Sequence, residues 1–146
     1  MLEVIGKGLA SESHPVPLLF VHGGEHAAWC WDEHFLDFFG AEGYRALALS
    51  LRGHGTSSNS KPPRACSIAD YVQDVCSVVD HLSQTPVMIG HSLGGFVVQS
   101  NSSPTSRPPE CSSHQLHRKA PPRRFYALLN SCCAKRHGIR GSPRKP

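Results

Sequence analysis

Nowhere in the 146 residues is there an apolar run near the ~18 positions that a membrane-spanning helix needs. The first twenty residues lack the basic, apolar, small-residue order of a secretory signal. Six cysteines fall well short of the ~8–10% that marks a disulfide scaffold. These absences exclude a transmembrane helix and argue against a stapled secreted module, so a soluble protein of the reducing cytoplasm is expected. The length leaves room for a single domain.

Acids are missing from one region only. Residues 1–100 carry ten Asp/Glu against five Lys/Arg, a balance of −5, whereas residues 101–146 carry ten Lys/Arg against Glu110 alone, a balance of +9. The formal +4 of the chain is therefore the sum of two unlike parts rather than the signature of a basic protein. Residues 1–99 read as an ordered unit. Residues 100–146 read as a basic Pro/Ser/Arg-rich tail, in which prolines break every window except Phe125–Leu129, leaving disorder or at best one weak helical turn.

In the first part the hydrophobic periods are informative. Val16–Val21 (VPLLFV), Tyr44–Leu51 (YRALALSL) and Pro86–Ile89 (PVMI) are short apolar runs ended by turn residues, and each predicts a buried strand. Trp31–Gly43 predicts a helix that frays at Gly40. In Ser67–Ser83, Ile68, Val72, Val75, Val79 and Leu82 recur at helical spacing behind Ser67 and Asp70, a capping-box variant. Leu93–Gln99 predicts another helix. Strands alternating with helices imply an α/β architecture with a parallel sheet and crossover connections.

Gly90-His91-Ser92-Leu93-Gly94 is a G-x-S-x-G motif set between a predicted strand and a predicted helix, the context that makes it a nucleophile elbow. A serine in so tight a turn needs small neighbours, and Gly90, Gly94 and Gly95 supply them. His22-Gly23-Gly24 ends the strand expected beside the elbow. There the backbone N–H groups of Gly24 and Leu93 would form an oxyanion hole, with His22 orienting the loop by hydrogen bonds. The plainer readings are a glycine turn and a strand-ending turn, and the flanking pattern favours the catalytic ones.

The order LLFVHGG, a Trp a few residues on, LRGHGTS, an amphipathic helix and VMIGHSLGG resembles the N-terminal half of the α/β-hydrolase superfamily, in its esterase, lipase and lysophospholipase-like branch. The resemblance covers about residues 1–99. It implies a partial α/β-hydrolase fold, a parallel sheet with flanking helices whose C-terminal half is missing. It further implies Ser92 as nucleophile, Gly24 and Leu93 as oxyanion donors, Arg52-Gly53-His54-Gly55 as a structural loop, and no cofactor. Glu25, His26, Trp29, Trp31 and His91 would line the mouth of a pocket for a small-molecule ester or acyl substrate. For the two tryptophans core packing is an equal alternative. Many relatives have an Asp where this chain has Ser50.

What the resemblance does not find is a catalytic acid and histidine, which the family supplies after later strands, in chains about twice this length. Glu110 with His137 makes a triad on paper, without strands to hold it. A truncated or frame-shifted chain, inactive as an enzyme, is therefore expected. Read from the third nucleotide of the Glu110 codon, with UCN serines, Glu110 to His114 recode as three apolar residues and a small one, where the family lays its next strand. Cys111, His114, His117, Cys132, Cys133 and His137 lack the paired rhythm of a zinc site, so no metal is expected. Cys30, Cys66 and Cys76 read as buried or idle thiols. A basic tail binding anionic partners on a hydrolase-derived scaffold is the alternative, although with Phe125 and Tyr126 as its only aromatics a nucleic-acid module is not expected. The oligomeric state is not legible.

Overall fold

The structure, a computed structural model, describes residues 1–59, 61–102 and 127–128. The alternating apolar residues of two runs become neighbouring strands, β2 (Leu18–Val21) and β3 (Ala46–Ser50), every residue of which is buried. Because successive side chains of a strand point to opposite faces, each strand serves two cores. Leu19, Val21, Leu47 and Leu49 pack on one face with Tyr71, Val72, Val75, Val97 and Val98, while Leu18, Phe20, Ala46 and Ala48 pack on the other with Trp31 and Leu36. The helices delivering those residues are α3 (Ile68–Val79) and α4 (Leu93–Ser102) on the first face, α1 (Trp29–Asp32) and α2 (Phe35–Ala41) on the second.

Among the described residues five strands form one sheet in the order β1-β3-β2-β4-β5, with β1 at Glu3–Lys7, β4 at Val87–Gly90 and β5 at Ala127–Leu128. β2 is parallel to both β3 and β4, as the crossover reading requires. The sheet is nevertheless mixed, because β1 pairs antiparallel with β3 in the register Glu3↔Ser50. No strand is expected there from sequence. Glu-Val-Ile-Gly-Lys lies on an edge, half covered, and carries only two large apolar residues. The predicted helix over Trp31–Gly43 divides into α1 and α2, separated by His34 in a non-helical conformation (φ −144°, ψ −35°). At the other edge, where one weak helical turn is the most the sequence offers, Ala127–Leu128 is a short strand parallel to β4. Of the three cysteines read as buried or idle thiols, Cys76 is disulfide-bonded, whereas Cys30 and Cys66 are not in disulfides.

The strand order places the site. From β2 the chain crosses to β3 on one side, and from β3 it returns past β2 to β4 on the other. The carboxyl ends of β2 and β4 therefore flank a topological switch point, where open α/β sheets leave a crevice for ligands.

Candidate active site

β4 ends at Gly90 and α4 begins at Leu93, so His91 and Ser92 must reverse the chain in two residues. Ser92 does so in the left-handed region, at φ 51°, the only non-glycine residue with positive φ among those described. Such a conformation costs a side-chain-bearing residue of order 1–3 kcal/mol and persists only when its surroundings impose it. They do so by close packing. A Cβ on Gly90 would lie 2.4 Å from the Gly94 carbonyl oxygen, and one on Gly94 would lie 2.3 Å from that of Val21. The His91 N–H donates to the Val21 carbonyl (3.0 Å), fastening the turn to β2. The Ser92 side chain is left exposed at the top of the sheet.

Beside it runs the loop that leaves β2. His22 is fully buried and its ring is held at both nitrogens. The Leu51 N–H donates to Nε2 (3.0 Å), so the ring proton sits on Nδ1, which donates to the Gly23 carbonyl (2.6 Å). Burial pushes the His22 imidazole down to about 4, so it stays neutral in that tautomer near pH 7. The Gly23 carbonyl also accepts from the His26 N–H (3.1 Å). A trans peptide points its N–H opposite its C=O. Two donors on the Gly23 carbonyl thus fix the direction of the Gly24 N–H. Neither that N–H nor the one of Leu93 donates to any group among the described residues. The two positions adjoin, since a Cβ on Gly24 would lie 3.7 Å from Leu93 Cδ2.

The sequence profile of the alpha/beta hydrolase family matches residues 18–136. The chain belongs to that family. Among curated proteins it is 38% identical over 81 residues to a non-heme chloroperoxidase of Streptomyces lividans, covering 55% of this chain and 28% of that protein. It is 35% identical over 95 residues to a bifunctional esterase/perhydrolase of Acinetobacter calcoaceticus, covering 64% and 33%. Among solved structures, an epoxide hydrolase from an endophytic Streptomyces superposes with a TM-score of 0.60 at 27% identity, over 69% of this chain and 29% of that one. The alpha/beta hydrolase chain thus spans about a third of the length of these relatives.

Of the residues expected at the mouth, His26, Trp29 and His91 come together: the His26 ring lies 5.8 Å from that of Trp29 and 6.1 Å, edge-on, from that of His91. Glu25 is exposed on the same loop. Trp31 is not at the mouth. It is 4% exposed, its ring tilted 5.0 Å from that of Phe20 and edge-on 5.2 Å from that of Phe35, because residues two apart in α1 lie on nearly opposite sides of the helix, which leaves Trp29 outside and sends Trp31 into the core. Glu110 and His137 lie outside the described residues, as do Cys111, His114, His117, Cys132 and Cys133. Among the described residues no group of three or more His, Cys, Asp or Glu is placed to hold a metal ion, and no helix is long and apolar enough to cross a membrane.

Two supports went unseen in the sequence. Glu3, delivered by β1, accepts from the Ser50 hydroxyl and the Thr56 N–H, while Ser50 Oγ accepts from the Ala28 N–H (2.8 Å). The Ser50 hydrogen bond holds the Glu3 carboxyl below its ordinary value. The Arg52 guanidinium forms a fork with Asp74 (Nε to Oδ1 2.9 Å, Nη2 to Oδ1 2.7 Å) and reaches Asp70 (3.3 Å). Asp74 also accepts from the Arg52 N–H (2.9 Å). The loop after β3 is thereby fixed to α3. Spacing between β1 and β3, or between Arg52 and α3, carries no local signal of these pairs.

Proposed function

We propose that Ser92 is the nucleophile of a serine hydrolase acting on carboxylic esters, lysolipid-like esters included. The observation that carries this reading is the strained, exposed Ser92 turn set beside two backbone N–H groups, of Gly24 and Leu93, that have no partner among the described residues. Ser92 Oγ would attack the ester carbonyl carbon, and the oxygen acquiring negative charge would settle between those two donors. Each such donor is worth about 2.7–4 kcal/mol in the transition state. The N-terminus of α4 adds its positive end. An esterase/perhydrolase among the relatives agrees with this chemistry.

The Ser92 hydroxyl hydrogen-bonds no histidine or carboxylate among the described residues, and His22 cannot serve, since Leu51 occupies its acceptor nitrogen. With no base among the described residues, attack keeps only the part of catalysis that binding and the oxyanion hole provide, roughly 10³–10⁴-fold over water. The 146-residue chain is accordingly expected to turn over p-nitrophenyl acetate close to background, with a slowly formed acetyl adduct on Ser92 found by mass spectrometry and absent from Ser92→Ala. Rapid turnover that survives Ser92→Ala would overturn the assignment.

A further inference from the structure

We propose that His54 is a positioning residue for the Ser92 site, a proton-linked clamp that holds the oxyanion loop through the Gly24 carbonyl. This rests on the Ser92 reading for its catalytic meaning, and on the hydrogen bonds around His54 for its substance. The ring bridges two loops: Nδ1 lies 3.1 Å from the Arg52 carbonyl oxygen and Nε2 lies 3.0 Å from the Gly24 carbonyl oxygen. A carbonyl only accepts, and a neutral imidazole donates from one nitrogen alone. Both contacts are satisfied together only by the imidazolium. Loss of a proton sets a lone pair against one of the two carbonyls, and the exposed Gly24 end, rather than the part-buried Arg52 end, is the one free to separate.

The surroundings place no uncompensated cation against that imidazolium. Across from His54 stand His22 at the end of β2, 4.9 Å between ring centroids, and Tyr71 of α3, 6.1 Å away and edge-on. His22 is locked neutral by its own hydrogen bonds, so it sets no like charge against the clamp. The neighbouring Arg52 has its charge met by Asp74 and Asp70. On the loop itself, Gly24 sits inside the turn closed by the His26 N–H and the Gly23 carbonyl. Releasing the Gly24 carbonyl therefore loosens the Gly24–Glu25 peptide, which is joined through the Gly24 Cα to the peptide whose N–H would face the substrate.

The test is done on the full chain between pH 5 and 8. Ring-nitrogen NMR follows the His54 proton, and hydrogen exchange follows the His26 amide. The His26 amide is expected to lose protection, beyond ordinary base catalysis, through the same midpoint at which His54 loses its second proton. In His54→Phe, which keeps the ring packing but no donor, the amide should exchange roughly tenfold faster at pH 5 and show no midpoint, the consequence of losing a charge-assisted hydrogen bond. His54→Gln, a neutral donor, should give intermediate protection without a midpoint. Deprotonation of His54 in the wild type with no change at His26 overturns the proposal, whether or not the variants fold. Ser92→Ala should leave every one of these signals as in the wild type, so a failed Ser92 assignment and a failed clamp are told apart.

Discussion

One methyl group distinguishes the two kinds of glycine in this site. At Gly94 an added Cβ would meet the backbone carbonyls of Val21 and His22 at 2.3 and 2.6 Å, atoms that belong to the central strand and the loop leaving it and cannot step aside. Gly94→Ala is expected to destabilise the fold by at least about 3 kcal/mol, the upper range for overpacking, read as a lowered urea midpoint. At Gly24 the nearest obstacle is Leu93 Cδ2 at 3.7 Å, ordinary contact, so Gly24→Ala should move that midpoint little. His22 makes the residue-scale case for pH. Its imidazole is neutral when folded, at about 4, and nearer 6.5 when unfolded. The folded-state value is the lower one, so the unfolded chain binds the proton first. Stability is full above pH ~6.5, falls as pH drops and is lost by about 4, some 3 kcal/mol in all. Glu3 and Asp70, held low by hydrogen bonds, lose theirs in the same direction at still lower pH. A urea midpoint flat from pH 7 to 4 would contradict the His22 tautomer. His22 was legible as a loop-orienting residue; the identity of its partners, Leu51 and Gly23, was not, because Leu51 comes from a different strand end.

Where an element's determinants are local, the sequence reveals it. α3 begins at Ile68 behind Ser67, whose Oγ accepts from the Asp70 N–H while the Asp70 carboxylate accepts from the Ser67 N–H (2.8 Å), the capping box expected with Asp in the third position. Ser67→Ala should cost about 1 kcal/mol in thermal or urea unfolding, typical of an N-cap. Elements whose formation depends on neighbours are harder to read. β1 exists because β3 offers an edge, and α1 breaks from α2 at His34 because packing sends Trp31 and Leu36 into the same core. The Arg52–Asp74 fork joins two elements twenty-two residues apart, with Asp74 only 4% exposed at its side chain. Removing one partner of such a pair strands the other, so Asp74→Ala should cost about 3–5 kcal/mol, several times the effect of Ser67→Ala. Equal losses would mean that the loop after β3 does not depend on α3.

For the molecule as a whole, two cores on the faces of one sheet bring the ends of β2 and β4 to the switch point, and the motifs that mark the family lie there. Parallel strand order followed from alternating elements, and the Ser92 turn followed from G-x-S-x-G in that context. The mixed character of the sheet did not, since its antiparallel member is an edge strand with little apolar signal. The central claim is that this geometry, by itself, singles out Ser92 chemically. It is tested most directly by exposing the chain to a fluorophosphonate and mapping the adducts by mass spectrometry over time. Phosphonylation is expected at Ser92 first, well ahead of other exposed serines such as Ser13 and Ser58, and slow in absolute rate. Labelling of Ser92 no faster than of Ser13 or Ser58 would contradict the account.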